Sequence, residues 1–425
     1  MITNILNIVN IVIAALFILC YSYQFVFIVI SLIKKPKIYP ETDERFKYAV
    51  LISARNEANV IDQLIDSIKK QDHPEELIDV YVIADNCTDN TAEVARASGA
   101  YVVERFNKEL IGKGYALSAL FDHIRDTVGF DAYDGYFVID ADNILEPNYI
   151  SEMNKCYAAG ERLVTGYRNS KNFGDSWISQ GYSVWFLREA RQLNGVRNIL
   201  GTTSEIKGTG FLIHKDIIKR QGGWIHHLLI EDVQFAIENV LEGERVAYCD
   251  TAILYDEQPV DFVTSWWQRL RWCKGYIQIL RKYTGKLLKA FLCGKGFSNY
   301  DMIMAMSPAF FISLAATVAN IVGLALTLIF EPHSFVASLL STLGICFGTY
   351  LLFLIVFSLV VIGERKRIHA TVGQRICAVL TFPIYMATYI PIVAAAIFAK
   401  NEWRQIKHTR VETKPVSDGD GEKNK

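Results

Sequence analysis

The sequence predicts an α/β domain, built on a parallel sheet with helices on both faces, that is joined to α-helical transmembrane segments and interfacial helices. Two observations lead to this fold class. Between residues 48 and 142, short apolar runs alternate with segments whose apolar residues recur at helical spacing, and such alternation is typical of parallel sheets. Near both ends of the 425-residue chain lie apolar stretches long enough to cross a bilayer.

Four apolar stretches are candidate membrane spans. The first covers roughly residues 5–33, and we expect one permanent helix there because the stretch is too long for a signal-peptide core and lacks a small-residue cleavage site. It is also too short for two spans of about 20 residues each. The other stretches run over about residues 302–330, 335–362 and 372–399, and their succession argues against buried helices of a soluble core.

Basic residues beside the spans predict the orientation. The sequences KKPK and GERKR, after the first and third spans, should face the cytoplasm of a multi-pass protein in the plasma or inner membrane. Eight scattered cysteines without a CxxC pair agree with a reducing compartment, and a net charge of -1 gives no reason to expect a nucleic acid partner. Three spans after a cytoplasmic domain would place the basic C-terminal tail outside the cytoplasm. Either the preference of basic residues for the cytoplasmic side fails there, or the last segment, broken by Pro383 and Pro391, does not cross fully.

This orientation gives the following domain organisation. An N-terminal transmembrane helix (1–37) precedes a cytoplasmic α/β domain (38–258). Amphipathic interfacial helices (259–300), three transmembrane helices (301–400) and a polar tail (401–425) follow.

The α/β domain begins with four predicted strands and three predicted helices. The strands are expected at residues 48–54, 78–85, 101–106 and 134–142, and the helices at 59–71, 90–100 and 112–126. Ligands bind at the carboxyl ends of parallel strands, so the polar residues collected there predict a nucleotide-type site. These residues are Asn56, Glu57, Asp85, Asp140 and Asp142.

Two carboxylates end the fourth strand in the sequence VIDADN. Asp140 and Asp142 share one face of the strand, where a hard cation such as Mg²⁺ or Mn²⁺ can take oxygen ligands and bridge to phosphate. The alternative is a solvated turn. Lys113, between two glycines at a helix start, either reaches phosphate or is an ordinary surface lysine. Asp89 is expected to cap the helix after the second strand, which leaves Asp85 to face a ligand.

Two further segments carry candidate chemistry. Glu231 and Asp232 lie between apolar runs in LLIEDVQFAI, and a carboxylate in apolar surroundings has the raised proton affinity that suits a general base. The alternative is a paired structural acid in the first turn of a helix. The stretch KGTGF at residues 207–211 lets a ligand or chain approach the backbone closely, although a turn explains it equally well.

Residues 268–272 read QRLRW, within a run that contains three tryptophans and precedes the long apolar region. An arginine pair suits a doubly charged phosphate, because each planar guanidinium donates parallel hydrogen bonds. A tryptophan face suits a sugar ring. The run also has the composition of a helix at a membrane interface. The apolar residues expected on that helix are Trp266, Ile277, Leu280, Leu287 and Leu288.

Together these residues resemble the family-2 glycosyltransferases, in particular the membrane-integrated cellulose, hyaluronan and chitin-oligosaccharide synthases. The resemblance spans about residues 48–285 and includes, in order, ISARNE, ADNCTD, GKGYAL, DADN, GTGF, IED, YDEQP and QRLRW. It implies a GT-A nucleotide-sugar domain and inverting transfer from a UDP-sugar. The chain departs from the family at Ala84, where many relatives have aspartate, and at Ile230, where threonine is common. The gating-loop motif of cellulose synthase is not recognisable.

The resemblance also implies roles for the matching residues. Asp232 is implied as the catalytic base, and Asp142 as the ligand of a Mg²⁺ or Mn²⁺ ion. Glu57 and Asp85 are implied to line a uridine pocket. The remaining implied contacts are, for the nucleotide, Lys113, Asp140, Arg269 and Arg271, and, for the acceptor, Gly208, Thr209, Gly210, Gln268 and Trp272.

Three functional hypotheses follow. The first is a processive synthase that polymerises a UDP-sugar, of the glucose or N-acetylglucosamine type, into a β-linked polysaccharide and passes it through the membrane. The second is a non-processive transferase that adds one sugar to a lipid acceptor, and the third is a degenerate domain that binds polymer without catalysis. Four spans make a narrow pore, which favours the second hypothesis or a homo-oligomer. The expected partners are the UDP-sugar, the growing polysaccharide and membrane lipids.

Overall fold

The computed structural model of the protein describes residues 1–306 and 308–400. Its strands are β1 (Tyr48–Ala54), β2 (Ile78–Asp85), β3 (Tyr101–Arg105), β4 (Gly135–Asp140), β5 (Ile144–Leu145), β6 (Leu163–Ser170), β7 (Phe211–His214) and β8 (Val246–Asp256). They form one sheet in the order β3-β2-β1-β4-β7-β6-β8-β5.

The helices before the last sheet strand are α1 (Ile2–Tyr21), α2 (Tyr23–Ile33), α3 (Ile61–Lys69), α4 (Thr91–Ala97), α5 (Lys113–Thr127), α6 (Tyr149–Ala158), α7 (Trp177–Arg188), α8 (Gly195–Ile199), α9 (Lys215–Gln221) and α10 (Glu231–Leu241). A π-helical turn, Glu189–Asn194, joins α7 to α8. The helices after the sheet are α11 (Phe262–Leu292), α12 (Ser298–Ala305), α13 (Pro308–Phe330), α14 (Pro332–Gly363), α15 (Val372–Ala387) and α16 (Tyr389–Phe398).

The four predicted strands are confirmed, and they pair in parallel with β1 between β2 and β4. The side chains of β1, β2 and β4 are mostly apolar and buried, as strands covered on both faces require, whereas β3 lies at the edge of the sheet and is partly exposed. β7 runs antiparallel to both β4 and β6. The sheet is therefore mixed, which the alternation of strands and helices did not predict. The three predicted helices correspond to α3, α4 and α5.

The N-terminal apolar stretch is divided into two helices at Ser22, whereas one uninterrupted helix was expected. Polar contacts flank the division. The Tyr21 hydroxyl donates to the Met304 carbonyl at 3.2 Å, and the Tyr23 hydroxyl donates to Asp301 at 2.7 Å. After Ser22, α2 packs against the turn that follows α7 and against α8. Phe27 forms a buried cluster there with Leu193 and Val196.

Within residues 1–306 and 308–400, four helical segments are long and apolar enough to cross a membrane, judged by length and composition. They are Ile2–Tyr21, Pro308–Phe330, Pro332–Gly363 and Val372–Phe398. The predicted start of the second span near residue 302 is replaced by a separate short helix, α12. The last span consists of α15 and α16, which meet at Thr388, five residues after Pro383. The predicted polar tail, 401–425, lies outside the described residues.

The segment expected to form interfacial helices is one helix, α11, of 31 residues. Ile277 and Leu287 are buried in the protein core, and Leu288 is exposed. Trp266 and Leu280 are half-buried and also pack against core clusters. The helix therefore packs most of its apolar residues against the α/β domain and the spans rather than leaving them on an open face.

Candidate active site

The carboxyl ends of β1, β2 and β4 bring polar side chains to one edge of the sheet. Asp140 is the last residue of β4, and Lys113 is the first residue of α5. The Lys113 ammonium forms an ion pair with Asp140 and donates to the Gly208 carbonyl at 2.6 Å. Burial alone lowers the pKa of Lys113, but the carboxylates of Asp140, Glu231 and Asp232 raise it above its usual range. Lys113 is therefore a charged group of the site and not a surface lysine.

The glycine-rich segment at residues 207–210 holds the carboxylates in place. The Gly208 amide donates to Asp232 Oδ2 at 2.5 Å. Thr209 Oγ1 accepts from the Asp140 amide at 2.8 Å and donates to Asn143 Oδ1 at 2.5 Å. The segment thus connects the two predicted carboxylate sites, and its role towards an acceptor remains a prediction.

Gly210 has a steric reason to be glycine. Its φ is +69°, and an added Cβ would lie 2.0 Å from Leu254 Cδ2. We expect Gly210→Ala to destabilise the protein by about 2–4 kcal/mol through overpacking and backbone strain. The measurement is the apparent melting temperature of the full chain in detergent. Gly208→Ala is the control, because its Cβ meets nothing closer than 3.7 Å at a similar φ of +85°. Equal melting temperatures for the two variants would contradict the steric explanation.

Glu231 and Asp232 form a coupled acidic pair at the start of α10. Both side chains are buried. Burial, together with the charge of Asp232, raises the pKa of Glu231 to about 7, while Lys113 and Arg271 oppose the rise. Burial also raises the pKa of Asp232, against the lowering effect of Lys113 and of the Gly208 amide. A carboxylate with a raised pKa and a fixed orientation can accept a proton near neutral pH.

Helix α11 packs closely against the start of α10, where the two helices cross. A Cβ added to Gly275 would lie 2.8 Å from the Ile230 side chain, so only glycine allows this approach. The Leu229 amide donates to Gln278 Oε1 at 3.3 Å on the same side. Arg271, one turn earlier, is half-buried and near enough to lower the pKa of Glu231. The crossing therefore brings one arginine of the QRLRW motif to the acidic pair.

Trp272 lies in an aromatic cluster beside this crossing. Its ring meets Tyr182 edge-on with centroids 5.7 Å apart and Phe186 with centroids 6.4 Å apart. The side chain is half-buried and packs against two core clusters. Gln268, one turn earlier, has a buried Oε1 with no hydrogen-bond partner among the described residues.

Arg269 is not brought to the carboxylates. Its side chain is fully buried, and its guanidinium donates to Thr388 Oγ1 at 2.6 Å, where α15 and α16 meet. It lies 4.6 Å from the ring centroid of Tyr385 and 4.9 Å from that of Tyr389. The expectation that both arginines hold one phosphate is therefore corrected: Arg269 binds the broken last span, and Arg271 alone faces the acidic pair.

Asp85 and Glu57 lie at the neighbouring strand ends. Asp85 is buried, forms an ion pair with Arg105 and accepts from Asn86 Nδ2 at 3.2 Å. The backbone amide of Glu57 donates to Thr91 Oγ1 at 2.8 Å. Asp89 accepts from the Thr91 amide at 3.1 Å, but the N-cap residue of α4 is Asn90, so the expectation that Asp89 caps this helix is wrong. Asp85 is thus fixed by its neighbours at the edge where the nucleotide site was predicted.

Asp142 is almost fully buried next to a set of residues that sequence reasoning left without a role. Its carboxylate accepts from Asn143 Nδ2 at 3.2 Å and from the Glu257 amide at 3.3 Å. Asp256 at the end of β8 binds Arg168 and accepts from Gln258 Nε2 at 2.6 Å. Asp256 and Gln258 belong to the YDEQP motif, so the sequence did contain a signal for these two residues. Arg168 lies in none of the motifs, and sequence reasoning did not find it.

The carboxylates at the carboxyl ends of β2 and β4, Asp85, Asp140 and Asp142, form what we call the acidic edge of the sheet. The mixed sheet and this edge define a GT-A fold, the architecture of enzymes that transfer sugars from nucleotide donors. The chain belongs to the family described as Glycosyltransferase like family 2, whose model matches residues 45–275. This match covers more than half of the chain, and it confirms the family resemblance and the fold class.

Several proteins of this kind are similar to the chain. The probable glycosyltransferase YdaM of Bacillus subtilis is 25% identical, over 60% of this chain and 61% of the relative. The beta-monoglucosyldiacylglycerol synthase of a Nostoc species is 22% identical, over 63% and 56%. The poly-beta-1,6-N-acetyl-D-glucosamine synthase of Staphylococcus aureus is 24% identical, over 59% and 59%. The chain therefore spans about six-tenths of the length of these relatives.

One solved structure is similar over nearly the whole chain. The mannosyltransferase PcManGT from Pyrobaculum calidifontis, in complex with GDP-Man and Mn²⁺, has a TM-score of 0.60 and 16% identity. The likeness covers 93% of this chain and 98% of that chain. At this identity the likeness shows the fold alone.

The acidic edge fits a divalent cation that is held largely by its substrate. Within residues 1–306 and 308–400, no group of three or more His, Cys, Asp or Glu side chains is placed to hold a metal. Mg²⁺ sites of phosphate-transferring enzymes need only one or two carboxylates, because substrate oxygens and waters complete the shell. Asp142, with Asp140 two residues before it, supplies that minimal donor set.

Proposed function

We propose that the protein is a membrane-integrated, inverting glycosyltransferase that polymerises a UDP-sugar, of the glucose or N-acetylglucosamine type, into a β-linked polysaccharide. The observation that carries this proposal is the close crossing of α11 and α10 at Gly275, which brings Arg271 near enough to Glu231 of the acidic pair to lower its pKa. An enzyme that extends a sugar chain needs a cation for the leaving group, a base and an aromatic platform for the acceptor, and we assign these roles to Arg271, Asp232 and Trp272.

The donor binds along the carboxyl edge of the sheet. Glu57 and Asp85 line the uridine end, and Lys113 and Asp140 contact the nucleotide further along. Arg271 stabilises the negative charge that develops on the departing diphosphate. A Mg²⁺ or Mn²⁺ ion on Asp142 would supply Lewis-acid charge to the same phosphates.

Asp232 acts as the general base. Its carboxylate, oriented by the Gly208 amide, removes the proton from the attacking acceptor hydroxyl. The acceptor oxygen then bonds to C1 of the donor sugar as the bond from C1 to the phosphate oxygen breaks, and UDP leaves from the opposite face. One bond forms and one breaks on opposite faces of C1, so the configuration inverts.

The acceptor end of the chain lies against aromatic side chains. Trp272 offers a ring face to the terminal sugar, and Tyr182 and Phe186 hold that ring in place. The unpaired Gln268 oxygen and the segment at residues 208–210 supply polar contacts to the sugar hydroxyls. We place the catalytic domain in the cytoplasm, with the product leaving through the membrane spans.

Transfer of one sugar to a lipid acceptor is the second candidate, and a specific observation favours it. Within the spans, Asn10 and Asn320 donate to each other's side-chain oxygen at 3.1 and 2.8 Å, and Thr342 donates to Asn320 at 3.1 Å. These polar groups satisfy one another, as in helix packing, rather than lining a passage. A lipid acceptor would not need such a passage.

Release of UDP by the purified full chain in lipid tests the proposal. The assay uses Mg²⁺ or Mn²⁺ and a panel of UDP-sugars, with GDP-mannose as the comparison donor. Turnover with one UDP-hexose, and a β-linked polymer as product, is the expected result. Turnover with GDP-mannose alone, or a lipid that carries a single sugar, would contradict it.

Activity should fall at acid pH. A base must be deprotonated to act, and burial raises the pKa of Asp232 above the usual value of an aspartate, although Lys113 and the Gly208 amide oppose the rise. We therefore expect an acid limb in the pH profile of kcat/KM that lies above the ordinary pKa of a free aspartate, about 3.9. A limb at or below that pKa would contradict the assignment of Asp232 as a buried base.

A further inference from the structure

A half-buried lysine near Asp142 has no role in the proposed function. Lys171 directly follows β6, and its backbone amide donates to the Asp256 carbonyl at 2.8 Å. Its Nζ is buried and has no hydrogen-bond partner among the described residues. An ammonium removed from water without a partner is costly, so the native protein is expected to give it a ligand.

Three other cations at this edge of the sheet are already paired. Lys113 is paired with Asp140, and Arg105 is paired with Asp85. Arg168 is paired with Asp256 and donates to the Lys207 carbonyl at 3.0 Å. Lys171 differs from these three groups because its Nζ makes no hydrogen bond within residues 1–306 and 308–400.

The charges that surround Lys171 locate it within the donor site. Asp142, Glu257, Asp256 and Glu57 are near enough to act on it electrostatically. Burial nevertheless lowers the pKa of Lys171 below its usual value, so these carboxylates do not fully compensate for the loss of water. Asp142 marks the predicted metal end of the nucleotide and Glu57 the uridine end. The ammonium is therefore near the carboxylates that we assign to the two ends of the donor.

We propose that Lys171 binds the diphosphate of the nucleotide-sugar donor. The diphosphate is the multiply charged part of such a donor, and its oxygens can accept all three ammonium hydrogens. The uracil and the hexose of the proposed donors are neutral, and they offer no charge to match. This inference rests on the proposed function, because it assumes a nucleoside diphosphate sugar as donor.

Nucleotide binding to the full chain in lipid nanodiscs tests the inference at fixed Mg²⁺. The Kd values of UDP, UMP and uridine are measured for the wild type, Lys171→Met and Lys171→Arg. Lys171→Met should weaken UDP binding by about 10- to 100-fold, the range for losing hydrogen bonds to a charged group. Uridine binding should change by less than about twofold, and Lys171→Arg should recover part of the UDP affinity because it keeps the charge.

Lys219→Met is the matched control, because Lys219 pairs with Asp131 on the protein surface. It should leave all three Kd values unchanged. If Lys171→Met unfolds, Lys171→Gln replaces it, and the ratio of the UDP and uridine Kd values remains the readout. Equal weakening of UDP and uridine would show a structural role and overturn the inference, as would an unchanged UDP affinity. A wild-type chain that binds no UDP would instead overturn the proposed donor, so the two failures are distinguishable.

Discussion

Asp232→Asn should reduce sugar transfer by about 10³-fold, the scale of a lost general base, while UDP binding stays within about threefold of the wild type. The amide has nearly the shape of the carboxylate and can still accept from the Gly208 amide through its oxygen. It cannot accept the proton of the acceptor hydroxyl. Initial rates of UDP release and the Kd of UDP, measured on the same preparation, check the two parts of this expectation.

Glu242→Gln is the matched control for this variant. Glu242 follows the same helix, is exposed and pairs with Arg220 at the surface. It should leave both the rate and the affinity unchanged. An Asp232→Asn variant that keeps more than about a tenth of the wild-type rate would remove Asp232 from the base role.

Arg271→Met should lower kcat/KM by about 10²- to 10³-fold, the range for removing one group that stabilises transition-state charge. The side chain is half-buried and faces the acidic pair, so its loss leaves the departing diphosphate less well stabilised. We expect little change in the apparent melting temperature, because Arg271 is not part of a buried ion pair that the structure describes.

Arg269→Met, two residues away, should lower the stability of the protein and leave catalysis nearly unchanged. It removes the hydrogen bond to Thr388 and the contacts with Tyr385 and Tyr389, which we estimate together at about 1–3 kcal/mol. The apparent melting temperature should fall by about 2–6 °C, while the KM for the donor stays within about threefold. If Arg269→Met raised the donor KM as much as Arg271→Met did, the separation of the two roles would be wrong.

The division between the two arginines could have been drawn from the sequence. Residues two apart on a helix point about 200° away from each other, so Arg269 and Arg271 of α11 cannot both face one phosphate. The family resemblance outweighed this geometry in the prediction. What the sequence could not supply was the partner of Arg269, because Thr388 lies more than a hundred residues along the chain.

Local patterns predicted the first half of the sheet and its polar edge. β1 to β4 each contain a short apolar run, and the polar residues at the ends of β1, β2 and β4 lie at one edge of the sheet. The rest of the sheet depends on distant pairing. β7 inserts between β4 and β6, and β8 pairs with β6, so the contact of Arg168 with Asp256 joins residues 88 positions apart. No short-range pattern specifies such a pair.

The acidic pair and the glycine-rich segment at residues 207–210 show the same limit of prediction from local sequence. The apolar setting of Glu231 and Asp232 was visible, but the choice between them was taken from the family resemblance. The structure adds a physical reason, because it is Asp232 that accepts the Gly208 amide. The two glycines of KGTGF likewise signalled a close approach, and only the folded chain shows that the approach is to Leu254 and Asp232.

The central claim, polymerisation by one membrane-bound enzyme, is tested most directly by product length at low conversion. The purified full chain in lipid is given a radiolabelled UDP-hexose, and the products are sized when only a few per cent of the donor has been used. A processive enzyme yields long chains at this point, with most acceptors still unextended. If every acceptor carries one added sugar instead, the protein transfers single residues and the claim of polymerisation is wrong.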